Sequence, residues 1–301
     1  MKVLILGATG FIGLPAAQAL VRAGHMVYGL SRSEAKAKML AAEEIIPIIG
    51  DVESDVWIPL ISTLDVIIET VGGDVGGTPD LAKIGNETYE RVAKAVPQLR
   101  TADAPLLSYI YTSGTWVHGE SRTEIVTDTT PISHPAGYID WRPETEQLVA
   151  RSAIVNGIVV RPALLYGRSG SIFARLFRAA SEGRVVWPGT PGGRYAVIHT
   201  DDLADLYVRV AEQAQSLGGK IFDAATPVTE SVDDLLAKLV VVSKAKGPYE
   251  YKKPETLLQE AITTTTLLRP YLANALLGWS TKKPGVVDGL ETYYAAWLAS
   301  R

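Results

Sequence analysis

Cysteine is absent from the 301 residues, and histidine (4), phenylalanine (4) and methionine (3) are scarce. Without cysteine the chain has no disulfide, no thiolate nucleophile and no cysteine-ligated metal, which accords with a reducing compartment. The histidines form no close cluster and HExxH is missing, so no metal site is expected. The phosphate loop GxxxxGK[ST] and the nucleophile elbow GxSxG are missing as well. Long apolar runs are lacking, since the opening stretch is interrupted by three glycines, Pro15, Gln18 and Arg22 and cannot serve as a membrane span. A strand expected from residue 2 leaves no room for a signal or transit peptide, so the expected location is the cytoplasm. The net charge of −4 includes no basic tract, which argues against nucleic acid or an anionic membrane as partner.

What is present begins at once. Lys2 to Leu6 read as a buried strand that runs into Gly7, Gly10 and Gly13, spaced GxxGxxG, with a helix-forming run behind them at 14–23. Gly7 permits a sharp turn, Gly10 removes a side chain where backbone N–H groups approach phosphates, and Gly13 lets the helix pack closely on the sheet. The helix N-terminus favours an anion. This order of parts is a dinucleotide pocket, with Thr9, Phe11 and Ile12 completing the loop.

The end of the second strand, 25–30, decides which dinucleotide. NAD enzymes place an acidic residue there for the ribose 2′-hydroxyl. This chain has Ser31, Arg32 and Ser33 instead, with Lys36 and Lys38 close behind. Arg32 can pair bidentately with a 2′-phosphate and Ser31 can donate to it, so NADP(H) is the expected cofactor and NAD the alternative.

Further apolar runs at 45–49, 66–69, 106–112, 157–161 and 221–224 alternate with helical patterns, which implies a doubly wound parallel α/β sheet. Ligands then collect at the carboxyl ends of the strands. There Asp51 and Val52 face the adenine by position, and Thr70, Val71, Gly72 and Gly73 cross the pyrophosphate and ribose, although each could be an ordinary turn. The expected Rossmann core covers 1–165 and 195–226, and a small C-terminal substrate lobe covers 166–194 and 227–301.

Together, GATGFIG at 7–13, Gly50-Asp51-Val52, YTSGTWVHG at 111–119, Tyr138 with Arg142 and Glu146, RPALLYG at 161–167, the run from Val197 through His199 to Asp202, and Leu277-Gly278-Trp279 resemble the landmarks of short-chain dehydrogenase/reductases. The resemblance is to the extended branch that includes nucleotide-sugar epimerases and dehydratases. It implies a catalytic Tyr at Tyr138, a Lys four residues later that binds the nicotinamide ribose and lowers the Tyr pKa, and a polarising Ser or Thr from the fifth strand. Arg142 occupies the Lys position and keeps its charge, with Pro143 directly behind it. The Ser/Thr position falls on Gly114, flanked by Ser113 and Thr115. His118 replaces the usual Tyr before Gly119, Pro162 and Ala163 approach the nicotinamide, and Asp202 caps a helix. Trp116, Tyr166 and Phe173 give the substrate pocket an apolar, aromatic cast.

The chain is therefore expected to be an atypical NADP(H)-dependent oxidoreductase of a small organic carbonyl or alcohol. Its expected catalytic set is Tyr138, Arg142 and either Ser113 or Thr115. A nucleotide-sugar epimerase or dehydratase with bound NAD, and a non-catalytic NADP(H)-binding sensor or scaffold, are the alternatives. A monomer or a homodimer is expected, the latter pairing through helices near 80–96 and 143–153 by analogy.

Overall fold

The computed structural model describes residues 1–72, 81–170 and 172–301. Along the chain the elements are β1 (Lys2–Leu6), α1 (Gly13–Arg22), β2 (Met26–Ser31), α2 (Glu34–Ala42), β3 (Ile46–Ile49), β4 (Val66–Glu69), α3 (Leu81–Leu99), β5 (Ser108–Thr112), β6 (Ser121–Val126), α4 (Arg142–Ala150), β7 (Asn156–Pro162), β8 (Leu164–Tyr166) and α5 (Phe173–Ser181). They continue as β9 (Val186–Pro188), β10 (Arg194–Tyr195), β11 (Val197–His199), α6 (Thr200–Glu212), β12 (Ile221–Ala224), β13 (Glu230–Ser231), α7 (Val232–Ser243), β14 (Glu250–Lys252), α8 (Leu257–Thr263), β15 (Thr266–Leu268), α9 (Leu272–Leu277) and α10 (Leu290–Ala299).

The seven apolar runs read from the sequence form one seven-stranded sheet in the order β12-β7-β5-β4-β1-β2-β3. The pairs β1–β2, β1–β4, β2–β3, β4–β5 and β5–β7 are all parallel, so this is the doubly wound Rossmann arrangement. The chain divides into two compact units, Met1–Ser113, Trp141–Val160 and Leu203–Ile221 in the first, and Gly114–Asp140, Arg161–Asp202 and Phe222–Arg301 in the second.

In the first unit successive strand residues face opposite sides of the sheet. Leu4, Leu6, Ile67, Tyr109, Tyr111 and Val159 pack with Tyr89, Val92 and Val96 of α3 and Val149 of α4. Val3, Ile5 and Ile68 are equally buried with alternating orientation. Both faces are covered, which explains why these strands read as continuous apolar runs rather than alternating ones.

The second unit is built on small paired strands, β8 with β11, β9 with β14, β10 with β13, and β6 with β15. Its core is aromatic, with Phe173, Phe177, Trp187, Tyr195, Tyr293, Tyr294 and Trp297 in one buried cluster. Two carboxylates tie down the segment before α10. Asp202 accepts the backbone N–H groups of Lys282 and Lys283, and Glu230 accepts those of Val286 and Val287. Asp202 thus sits inside the first turn of α6 rather than capping it, and its carboxylate serves a distant chain segment instead. Among the described residues no helix is long and apolar enough to cross a membrane, and no group of three or more His, Asp and Glu is arranged to hold a metal ion.

Gly7 adopts φ +86°, and a Cβ on Gly13 would fall 2.2 Å from the Gly7 carbonyl oxygen and 2.7 Å from Thr70 Oγ1. The first contact is with backbone, which cannot swing aside, so the start of α1 lies against the end of β1 only because Gly13 has no side chain. Gly13→Ala is expected to lower stability by about 1–3 kcal/mol, the usual cost of overpacking. Urea unfolding measures this, and an unchanged midpoint would show that the helix can move away freely.

Candidate functional site

The first unit gathers most of the candidate residues at the carboxyl ends of β1, β2, β3, β4 and β5. The loop Gly7 to Gly13 joins β1 to α1, and Gly10 N–H donates to the Gly7 carbonyl at 2.9 Å to close its turn. Gly10 is exposed, and a Cβ there would meet only the Gly7 oxygen, at 3.2 Å. Thr9, Phe11 and Ile12 are partly exposed beside it. An exposed glycine turn opening directly into a ten-residue helix is a cradle that a side chain would fill and a pyrophosphate would fit.

Thr70 locks this loop from the neighbouring strand. Its Oγ1 donates to the Leu6 carbonyl at 2.8 Å, and its backbone is what a Cβ on Gly7 would strike. Val71 is half-buried and Gly72 exposed, so the chain emerges to the surface here. Gly73, expected to continue the crossing, lies outside the described residues.

At the end of β2, Ser31 is buried and its hydroxyl donates to the Ser33 carbonyl at 3.2 Å. The Ser33 hydroxyl accepts the Lys36 N–H and caps α2. Arg32 and Glu34 are exposed, and no carboxylate stands at the strand end itself. Asp51 is exposed and its Oδ1 accepts the Glu53 N–H at 3.0 Å, which makes a local turn. Val52 accepts the Trp57 indole N–H on its carbonyl and lines an open cleft of about 260 Å³. Glu53, Lys83, Ile84, Glu87, Thr88 and Arg91 complete that lining, so the cleft is mostly polar.

At the end of β5 the polar groups face inward. The Ser113 hydroxyl donates to Glu146 Oε1 at 2.5 Å, and both residues are buried. Arg142, at the start of α4, donates from Nη1 to the Thr112 carbonyl at 2.9 Å and to the Tyr111 hydroxyl at 3.3 Å. Its guanidinium also lies 4.7 Å from the centre of the Trp141 ring. The Thr112 hydroxyl pairs with that of Tyr207 at 2.6 Å. Burial pushes the Tyr111 and Tyr207 hydroxyls above the ordinary tyrosine range.

Glu69, the last residue of β4, was not singled out from the sequence. It is 2% exposed, its Oε1 accepts the Val71 N–H at 3.2 Å, and its Oε2 finds no hydrogen-bond partner among the described residues. Burial raises its pKa to about 7, against the opposing pull of the Arg142 charge and the Val71 N–H. The signal was a carboxylate ending the apolar run Val66-Ile-Ile-Glu, where a strand buried on both faces has no solvent to offer it.

Thr115, Tyr138, Pro162 and Ala163 belong to the second unit. Tyr138 lies on a single 3₁₀ turn, Gly137–Ile139, and α4 begins only at Arg142 with Pro143 in its first turn. The two residues are therefore not carried on one continuous helix. The Tyr138 ring packs edge-on against Trp116, with centroids 6.3 Å apart. Gly114 has φ −175° and ψ 151°, extended backbone open to any residue, and a Cβ there would meet only the Pro162 carbonyl at 3.8 Å. Thr115 is buried on the next turn and its hydroxyl makes no hydrogen bond among the described residues. Pro162 and Ala163 are buried where β7 ends. His118 is wholly buried and its Nε2 lies 2.8 Å from Asp223 Oδ2, with the Arg161 guanidinium 3.6 Å from the other carboxylate oxygen.

Known proteins share this fold. The family model described as "NAD dependent epimerase/dehydratase family" matches residues 3–225. A curated relative, the 4-hydroxy-2-methyl-3-oxo-4-farnesyl-3,4-dihydroquinoline-1-oxide ketoreductase of Stigmatella aurantiaca, is 26% identical over 242 residues, covering 74% of this chain and 67% of its own. Among solved structures, UDP-glucuronic acid 4-epimerase from Bacillus cereus, in complex with UDP-glucuronic acid and NAD, is 19% identical with a TM-score of 0.80 and full coverage of both chains. Human epimerase family protein SDR39U1 with NADPH is 18% identical with a TM-score of 0.76, covering 98% of this chain and 99% of that one. With a family model spanning most of its length and the glycine cradle at its start, the chain belongs to the NAD dependent epimerase/dehydratase family.

Proposed function

We propose that this protein is an NADP(H)-dependent oxidoreductase of a small organic carbonyl or alcohol. The observation that carries the cofactor choice is the end of β2, where an exposed Arg32 stands beside Ser31 and Ser33 and no carboxylate is present to repel a 2′-phosphate. The residues of the glycine cradle fit a dinucleotide, which when bound supplies or accepts hydride. Gly10 and the first turn of α1 would hold the pyrophosphate, with Thr70 to Gly72 beside it and Asp51 and Val52 toward the adenine.

Tyr138 is the proposed proton donor. Arg142 retains the positive charge of the family's lysine while holding Tyr111 and Thr112 in place. A guanidinium has no proton to give up at working pH, so it cannot relay one as a lysine ammonium can. Of the two hydroxyls beside Gly114, Ser113 is committed to Glu146 and Thr115 is not, which favours Thr115 for polarising a carbonyl. The ketoreductase relative supports a reduction, and the partly exposed Trp116 beside Tyr138 suits an apolar substrate, whereas Tyr166 and Phe173, expected in the pocket, are buried in the core of the second unit.

A nucleotide-sugar epimerase or dehydratase retaining NAD draws equal support from the family and from the epimerase fold match. Arg175, Arg178 and Arg194 are its available cations for a diphosphate, although Arg194 already donates to the Thr229 hydroxyl at 2.9 Å. A non-catalytic NADP(H)-binding protein is favoured by one observation, the inward commitment of Ser113 and Arg142 beside a glycine at the hydroxyl position.

Paired titrations of NADPH and NADH followed by tryptophan fluorescence separate these readings. Preference for NADPH is expected, and Arg32→Ala should weaken NADPH binding about 10- to 100-fold, the worth of a charge-assisted contact, while sparing NADH. Preference for NADH, unaffected by that change, would favour the epimerase reading.

With a carbonyl substrate in hand, Tyr138→Phe should lower kcat about 100-fold or more, the usual share of a general acid. Unaltered turnover would remove Tyr138 from the mechanism. Gly114→Ser, which the open extended backbone accommodates, should raise kcat several-fold with little change in unfolding midpoint. No gain from a restored hydroxyl would mean that Thr115 already polarises the carbonyl.

A further inference from the structure

Glu69 is a buried carboxyl group that neither the cofactor cradle nor the proposed proton donor uses. It stands one residue before Thr70, which packs against Gly7 and Gly13, and it is tied to the segment at the cradle's edge through the Val71 N–H. Its Oε1 holds the Val71 N–H of the segment that leaves β4 at the cradle's edge, and its Oε2 is buried without a partner among the described residues. Tyr111 is its register partner on β5, and Tyr109 stands two residues earlier with its own hydroxyl buried and unpartnered among the described residues.

We propose that Glu69 makes dinucleotide binding proton-coupled, by taking up a proton when an anionic dinucleotide enters the cradle. This rests on the dinucleotide reading given above. An ionised Glu69 would face the negative pyrophosphate through one layer of protein, where screening by solvent is weak, whereas the neutral acid would not repel it. The charged and titratable groups around Glu69 are Arg142 on α4, Tyr109 and Tyr111 on β5 and Tyr207 on α6, with Glu146 of α4 beside Tyr111 and Tyr89 of α3 behind Tyr109. Arg142 is the one cation among them, and its hydrogen bonds go to Tyr111 and Thr112, so the carboxylate is only partly compensated. Burial raises the Glu69 pKa to about 7, which leaves the group free to change state near neutrality.

The linkage has a definite sign. A bound anion raises the Glu69 pKa further, so binding takes up protons around pH 7 and affinity falls as pH rises. If the bound pKa lies about one unit higher, uptake is about 0.4 proton at pH 7, and affinity falls about fivefold from pH 6 to 8.

The test is calorimetric titration of the whole chain with NADPH at pH 7 in phosphate and in Tris, whose ionisation enthalpies differ, together with affinities at pH 6 and 8. The 2′-phosphate of NADPH titrates too, so the readout is the difference between wild type and Glu69→Gln, with Glu69→Met as a second neutral variant. Proton uptake and pH-dependent affinity in wild type, lost in a folded neutral variant, supports the proposal. Equal uptake in wild type and variants overturns it while leaving the dinucleotide reading intact. NADPH and NADH both failing to bind at every pH overturns the dinucleotide reading and the proposal with it.

Discussion

The approach of Gly13 to the Gly7 carbonyl is the constraint on which the upper edge of the first unit depends. With no room for a single methyl group between them, α1 is held against the end of β1, and the N–H groups of its first turn face the place where the chain turns. Thr70 is part of the same contact. Its hydroxyl bonds the Leu6 carbonyl, so the end of β4 is fixed to the end of β1 by a side chain as well as by the sheet ladder. Fixing Thr70 fixes Glu69 beside it, and Glu69 shares the interior with Tyr111 and the charge of Arg142. A close backbone approach at the surface thereby determines the surroundings of a buried carboxyl group.

A second consequence concerns the residues that would carry chemistry. Family-like positions at the end of β5 and the start of α4 have acquired structural partners in this chain. Ser113 bonds Glu146, and Arg142 bridges Tyr111 and the Thr112 carbonyl. A lysine ammonium is a compact charge on a flexible stem, and it can reach outward while leaving the strand end unsupported. A guanidinium has five donors in a rigid fork, so it readily binds several oxygens at once and is correspondingly harder to redirect. The change from lysine to arginine at this position therefore alters where the charge is held as much as whether it can relay a proton.

The fold was legible because it rests on backbone and burial rules that leave direct traces. Strands covered on both faces appear as apolar runs, and the seven that stand out form the central sheet. The glycine spacing predicts a steric fact, and Gly13 meets it. Local polar arrangements were less legible. Asp202 has the look of a cap, yet its carboxylate serves Lys282 and Lys283, eighty residues away in the chain, and nothing near Asp202 announces that partner. Pro143 correctly signals a break between Tyr138 and α4, since the residue before a proline resists helical dihedrals, but Arg142 still enters the helix as its first residue. Glu69 was legible in principle and overlooked in practice, because a single carboxylate at a strand end reads as the place where the chain returns to solvent.

Asp202, Glu230 and Glu69 differ in how fully they are compensated, and this separates architecture from a titrating group. Asp202 receives two backbone N–H groups on separate oxygens, and Glu230 likewise receives two. Each thereby joins chain segments that lie far apart in the sequence. Glu69 receives one, and its second oxygen is left bare. Its folded pKa of about 7 lies above the ordinary carboxylate value of 4.5, so the folded state binds the extra proton between those values. Stability is consequently lost, not gained, as pH rises through that window, and the loss is complete above about 7. An apolar residue at the end of β4 would avoid that cost and continue the pattern of Val66, Ile67 and Ile68. At neutral pH the carboxyl group sets one hydrogen bond, from the Val71 N–H, against the cost of its burial. Its position one residue from the cradle makes ligand binding the process in which its proton has an effect.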